Sequence, residues 1–197
     1  MHIEDGFFTA ERNARTTAEG TEMLAKSTDD DDPLYRCESY GIPYMSTMPF
    51  ATSFSREERD GQNVMIMNYV FITNERVIHL DMPEHPENIE RSLTGHSIGW
   101  FEEDEKLLVI DTVGFAAADW GTARGIDQSE EKRILEKYRL VDDGQRIEYT
   151  SYTTDPPYLD GPLVRSLQYG VERGGRELSS YECDPSSSMR HLTIDEG

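Results

Sequence analysis

The chain has 197 residues, 36% of them hydrophobic, and a formal net charge of −20. This length suits one domain with appendages. The charge leaves no surplus of Lys and Arg to neutralise phosphates, and no apolar run approaches the ~18 residues of a membrane span. We therefore expect neither a nucleic-acid partner nor membrane insertion.

Residues 1–33 are predicted to form an N-terminal arm that is partly helical. The arm ends in four consecutive aspartates, 29–32, whose mutual repulsion favours an open, solvated conformation. Residues 34–185 are predicted to form a β-barrel domain, and residues 186–197 a C-terminal tail. The N-terminus has no basic segment followed by an apolar one, so the sequence as written predicts a cytoplasmic protein.

From residue 34 onward, the hydrophobic pattern repeats mostly every two residues, which is typical of β-strands. Turn signals such as Asp142-Asp143-Gly144 separate the segments. The predicted strands are 50–56, 63–70, 76–81, 96–101, 107–113, 132–140, 146–153, 163–169 and 178–183. No crossover helices are visible between them. We therefore predict an all-β fold, an antiparallel barrel of eight to nine strands, because closure removes exposed sheet edges.

The motifs of the central region resemble a large family of uncharacterised, mostly exported bacterial proteins. The family carries a Pro-His-Pro-like element, then Gly-His-Ser, then an acid-rich hairpin ending in Asp-Thr-Val-Gly-Phe. Here the matching pieces are His85-Pro86, Gly95 to Gly99 and Asp111 to Phe115. The resemblance implies a lipocalin-like (calycin-type) barrel and, as the alternative location, the periplasm or export. It implies no activity.

The stretch Gly95 to Gly99, GHSIG, fits the G-x-S-x-G pattern of a serine hydrolase. A nucleophile elbow needs a helix directly after the serine. Here an acidic turn and a second apolar strand follow instead, so we predict a β-hairpin in which Ser97 is not a nucleophile. The two glycines then serve a bulge or a sharp bend.

Three side chains are candidates for acid/base catalysis. A hairpin centred on residues 103–104 places His96 opposite Asp111, where the carboxylate would fix the imidazole tautomer and raise its basicity. A register shifted by one residue places Ser97 there instead. Glu136 shares a strand face with Tyr138, and it is expected either to act in catalysis or to pair with an arginine such as Arg165. The His96–Asp111 contact has a structural alternative, a hydrogen bond that pins the hairpin.

A second group of residues is predicted to line a ligand site. Trp120 is expected to cover one barrel mouth or to anchor its loop. His79, His85 and His96, with Asp81, could form a metal cluster, but their spacing matches no compact zinc signature. We therefore predict no metal and no cofactor. The predicted ligand-binding residues are Met65, Met67, Tyr69, His79, His85, Trp100, Trp120 and Tyr138.

The two cysteines, Cys37 and Cys183, are expected to form one disulfide in an oxidising compartment or to remain two buried thiols in the cytosol.

Three functions fit these patterns. The first is the binding of a small, mostly hydrophobic or ring-containing molecule inside the barrel. The second is a cofactor-independent lyase, isomerase or hydrolase that uses a His–Asp pair in the same cavity. The third is a structural or interaction protein whose barrel is filled by side chains. The expected partner is a small-molecule ligand or substrate. A homodimer is the one assembly of the chain that we consider.

Overall fold

The computed structural model describes residues 14–70, 74–173 and 183–189. The chain is mostly β, with 45% of its residues in strands. Its helices are α1 (Ala18–Lys26), α2 (Tyr44–Thr47) and α3 (Pro185–Ser188), and short 3-10 turns occupy Asp29–Asp31, Pro33–Arg36 and Asp142–Gly144. None of the helices in the described ranges is both long and apolar enough to cross a membrane.

Ten strands are found in the described residues. They are β1 (Thr52–Arg59), β2 (Gln62–Tyr69), β3 (Asn74–His79), β4 (His96–Glu102), β5 (Leu107–Val113), β6 (Ala118–Ala123), β7 (Ile126–Gln128), β8 (Arg133–Val141), β9 (Arg146–Thr154) and β10 (Leu163–Gly170). Eight of them match predicted strands to within a few residues. The predicted strand at 178–183 lies almost entirely outside the described residues.

The main sheet has eight strands in the order β1-β2-β3-β4-β5-β8-β9-β10. All neighbours pair antiparallel except β3 and β4, which run parallel. The wholly antiparallel prediction is therefore wrong at this one ladder. Parallel strands are usually joined by a crossover that contains a helix. The 16 residues between β3 and β4 carry no helix, so the sequence did not indicate a parallel pair.

The remaining two strands, β6 and β7, form a separate hairpin between β5 and β8. This segment was expected to be a loop around Trp120. Its small and polar residues, such as Ala118, Gly121 and Thr122, give no apolar alternation that would predict a strand.

The sheet curls strongly towards one face. The rings of Phe54 on β1 and Tyr138 on β8 are 5.5 Å apart, although these strands lie five places apart in the sheet. A flat sheet would separate such strands by about 24 Å. The described residues thus form a half-barrel. Its edges are β1 and β10, and no described ladder joins them.

The concave face is filled by the protein itself. Residues 40–47 are all buried, and their aromatic and Met side chains join one core cluster with inward-facing residues of the sheet. Ser46 ties this segment to the sheet, because its Oγ hydrogen-bonds the Tyr69 hydroxyl at 3.0 Å and its carbonyl accepts from Tyr169. The inward-facing members of the cluster include Met65, Met67, Tyr69, Ile78, Leu108, Ile110, Tyr138 and Tyr149.

The predicted arm packs against the rest of the chain where it is described. Helix α1 begins at the N-cap Thr17, whose Oγ1 accepts from the amide of Gly20. The amide of Thr17 in turn donates to the carbonyl of Tyr158 at 3.1 Å. Met23 packs on a small core cluster that includes Ile126 of the β6–β7 hairpin. The helix is therefore placed directly beside that hairpin.

Candidate functional site

The β4–β5 hairpin has a register that differs by two residues from the expected one. His96 lies opposite Val113, and Asp111 lies opposite Ile98. Both predicted registers, with His96 or Ser97 opposite Asp111, are wrong. The turn contains three consecutive residues with positive φ, 103–105, and this irregular loop shifts the pairing.

Ser97 faces the concave side and is 0% exposed. Its hydroxyl accepts from Arg76 Nε at 3.0 Å and hydrogen-bonds Thr112 Oγ1 at 3.0 Å. The strand is followed by a turn and β5, with no helix. The prediction of a hairpin rather than a nucleophile elbow is confirmed.

The glycines of GHSIG are required by close packing. A side chain at Gly95, which has a φ of 67°, would meet the Val113 carbonyl oxygen at 2.7 Å. A side chain at Gly99 would meet a methyl group of Ile78, also at 2.7 Å.

His96 faces the convex side of the sheet, opposite to the expected orientation towards a cavity. Three imidazoles gather there. The His96 ring stacks on that of His79, with centroids 4.8 Å apart, and His96 Nδ1 lies 2.9 Å from His85 Nδ1. The three histidines, which the sequence raised only as ligands of a metal cluster that it did not favour, thus lie together outside the half-barrel.

Asp111 completes this group, which we call the histidine cluster: His79, His85, His96 and Asp111. Arg133 holds the carboxylate through two hydrogen bonds, at 2.9 and 2.6 Å. Asp111 Oδ2 is also 3.5 Å from His85 Nε2. That nitrogen has no hydrogen bond of acceptable geometry, so the contact is an ion pair only when His85 is protonated. The His–Asp pair therefore uses His85, where the sequence favoured His96.

Burial shifts His79 and His96 away from the charged form. It lowers the pKa of His96 to about 4, and the neighbouring His79 and His85 act in the same direction. Burial, with His85, also lowers the pKa of His79. In the described parts of the chain, no three His, Cys, Asp or Glu side chains are arranged to hold a metal ion.

Glu136 lies in the concave core, where it is 0% exposed. Arg76 Nη2 donates to it at 2.5 Å, and the hydroxyls of Tyr138 and Tyr149 donate to its other oxygen at 3.1 and 2.9 Å. The expected partner, Arg165, instead donates to the Thr122 carbonyl. Arg76 takes the place expected for Arg165 because the curl of the sheet brings β3 across the interior towards β8.

Two buried groups next to this core gave no signal in the sequence. Lys132 is almost fully buried, and its Nζ donates to the Gly121 carbonyl at 2.8 Å and to Gln128 Oε1 at 2.7 Å. Burial lowers the pKa of Lys132 well below its ordinary value. Asp155 accepts from Ser129 and Thr122. These contacts fasten the β6–β7 hairpin to the sheet.

The predicted ligand-binding residues lie in four places. Met65, Met67, Tyr69 and Tyr138 are packed in the concave core. His79 and His85 belong to the histidine cluster. Trp100 lies on the convex face, 41% exposed, and donates to Glu102. Trp120 is 4% exposed and packs on the core cluster, and it alone among them also lines a described open groove.

This groove, which we call the Trp120 groove, has a volume of about 510 Å³ and lies between α1 and the β6–β7 hairpin. Five carboxylates and one lysine surround it. Trp120 has a φ of 50°, a left-handed conformation that is costly for a bulky side chain, and its amide donates to Asp127 Oδ1 at 2.9 Å. The lining residues are Glu19, Glu22, Met23, Lys26, Ser27, Asp31, Asp119, Trp120, Gly125 and Asp127.

No protein-family model matches this chain, and no curated protein matches it. The family resemblance drawn from the motifs therefore stays a prediction.

Proposed function

We propose that this chain is a lipocalin-like binding protein whose ligand is a small, ring-containing organic cation held in the Trp120 groove. The observation that carries the proposal is an open volume of about 510 Å³ that combines an indole with five carboxylates. Small-molecule sites commonly have volumes of about 300–1,000 Å³. The concave core, where the sequence suggested a cavity, is occupied by residues 40–47, so the groove is the better location.

The chemistry of the groove favours a positive charge beside a ring. Indole faces attract cations, and the Arg124 guanidinium already lies 5.9 Å from the Trp120 ring. Met23 adds an adaptable apolar surface; its sulfur accepts from the Asp127 amide at 3.1 Å. A ligand cation would compete with Arg124 for this ring.

Asp127 is the carboxylate best placed to select such a cation. Burial raises the pKa of Asp127, the hydrogen bond from the Trp120 amide opposes this, and the charges of Asp119 and Asp31 add to the rise. A bound cation would relieve both the desolvation and the repulsion. Other lining carboxylates are partly compensated: Lys26 pairs with Glu22 at 2.6 Å, and Arg36 with Asp119 at 2.9 Å.

The left-handed backbone at Trp120 supports a functional role for this side chain. Strain of this kind costs about 1–3 kcal/mol and concentrates at functional sites. Gly121, directly after it, could adopt that conformation without the cost, yet the bulky residue stands at the strained position.

The test is calorimetric titration of the whole protein with phenyltrimethylammonium. We expect saturable binding that weakens with added salt and that is weaker for benzyl alcohol and absent for benzoate. Trp120→Leu and Asp127→Asn should each reduce the affinity about five- to tenfold, since a cation–π contact contributes about 1 kcal/mol. Trp100→Leu is the matched control and should leave the affinity unchanged. Equal affinity for benzoate, or equal losses in both tryptophan variants, would refute the proposal.

The compartment belongs to the same proposal. Cys37 and Cys183 are joined by a disulfide. Disulfides persist mainly in oxidising compartments, so the bond supports the exported alternative over the cytoplasm. Acid/base catalysis by a His–Asp pair and homodimer formation stay predictions.

A further inference from the structure

The histidine cluster connects a long surface segment to the sheet. Residues 80–95 run from the end of β3 to the start of β4, and most side chains in 81–90 are exposed. The segment is attached at its first end by Leu80 and Asp81, both hydrogen-bonded to Asn63. Near its other end, Ser92 exchanges backbone hydrogen bonds with Gly114 and Ala116. Between these ends, His85 reaches the convex face and meets His96.

The contact between the two rings depends on their protonation. A neutral imidazole carries one N–H and one lone pair, whereas an imidazolium donates from both nitrogens. The 2.9 Å contact of His85 Nδ1 with His96 Nδ1 therefore exists only while at least one of the two rings is neutral. A second proton would place two N–H groups against each other.

The surroundings of these rings oppose a second charge. His79 stacks on His96 with an interplanar angle of 13°, so two imidazolium rings would lie face to face. Asp111 is the neighbouring carboxylate, but Arg133 already engages both of its oxygens. The ionisable groups that face the two rings in the described chain are therefore His79 on β3, Asp111 on β5 and Arg133 on β8.

We propose that the histidine cluster is a proton-operated clasp, which holds residues 82–90 on the convex face while at least one of the His85 and His96 rings is neutral and releases them when both rings are protonated. The ligand of this site is the proton, and the site is distinct from the Trp120 groove. Asp81 and Ser92 keep the two ends attached, so the opening is local.

The direction of the pH effect follows from His96. In the unfolded chain this ring titrates near its ordinary value of 6.5, and in the folded chain its pKa is lowered to about 4. The folded state thus binds fewer protons between these values. The stability that the neutral ring contributes is complete above about pH 6.5 and is lost as the pH falls towards 4.

The experiment is hydrogen exchange of the whole protein at pH 7.5 and pH 4.5, corrected for the intrinsic pH dependence of exchange. We expect protection in residues 82–90 to fall at least about tenfold at pH 4.5, while β8 and β9 stay protected. His96→Asn places an uncharged amide near the position of Nδ1, so it should keep the protection at pH 7.5 and lose the pH response. His191→Asn, outside the described residues, controls for the removal of one imidazole.

Two results would overturn the clasp: unchanged protection of residues 82–90 at pH 4.5, or the same pH response in wild type and His96→Asn. If His96→Asn fails to fold, an NMR titration of the wild-type imidazoles tests the clasp instead. The clasp requires the His96 ring to titrate well below pH 6.5 together with shifts of amides in 82–90, and an ordinary titration without those shifts contradicts it.

Discussion

Replacing Arg76 by Met should lower the free energy of unfolding by about 3–5 kcal/mol, because it leaves the carboxylate of Glu136 buried without its counter-charge. Both side chains of this pair are at most 1% exposed. Burial acts to lower the pKa of Arg76, but the charge and hydrogen bond of Glu136, together with Tyr69 and Tyr138, outweigh it and raise that pKa above its ordinary value, so the guanidinium stays charged. The hydroxyls of Tyr138 and Tyr149 would remain, yet they supply dipoles and no compensating charge.

The matched control is Arg139→Met, which breaks the pair of Arg139 with Glu103 on the surface. Exposed pairs contribute about 0–1 kcal/mol, so this variant should unfold at nearly the wild-type urea concentration. Adding Glu136→Met to Arg76→Met should recover part of the lost stability, since the unpaired charge is then gone. Similar midpoints for Arg76→Met and Arg139→Met would show that the buried pair does not stabilise the core.

The local strand pattern was readable because alternating apolar residues mark a half-buried sheet. The inward face was harder to identify, and the reason lies in β5. Residues 107–112 are buried on both faces, so the alternation does not distinguish concave from convex. Residues 80–95 lie against the convex side of β5, while the core fills its concave side. His96 was consequently assigned to the wrong face, and its contacts with His79 and His85 were not predicted beyond a metal cluster that their spacing argued against.

Non-local pairing limited the prediction of the core charges. Arg76 reaches Glu136 only because β3 pairs in parallel with β4 and the sheet then curls back to β8. No local pattern around either residue encodes that path. Trp120 was expected to cover a barrel mouth, and the Trp120 groove beside it was not predicted. Two of its five carboxylates, Glu19 and Glu22, come from α1, whose docking depends on tertiary contacts.

Removing the disulfide should have an effect of similar size. Cys37 follows the 3-10 turn Pro33–Arg36, and Cys183 precedes α3, so the bond closes a loop of 146 residues that contains the whole sheet. In the chain-entropy model, closing a loop of this length raises the free energy of the unfolded chain by about 5 kcal/mol. We expect the Cys37→Ser, Cys183→Ser double variant to lose about 3–5 kcal/mol of unfolding free energy in urea.

The control is the reductant itself. Dithiothreitol should lower the midpoint of the wild-type protein to that of the double variant and leave the double variant unchanged. Core amides of β8 and β9 that exchange through global unfolding should lose protection in the double variant to the same extent as the free energy of unfolding falls. A wild-type midpoint that does not respond to reductant, with both thiols then titratable, would mean that the contacts of residues 40–47 already confine the chain without the bond.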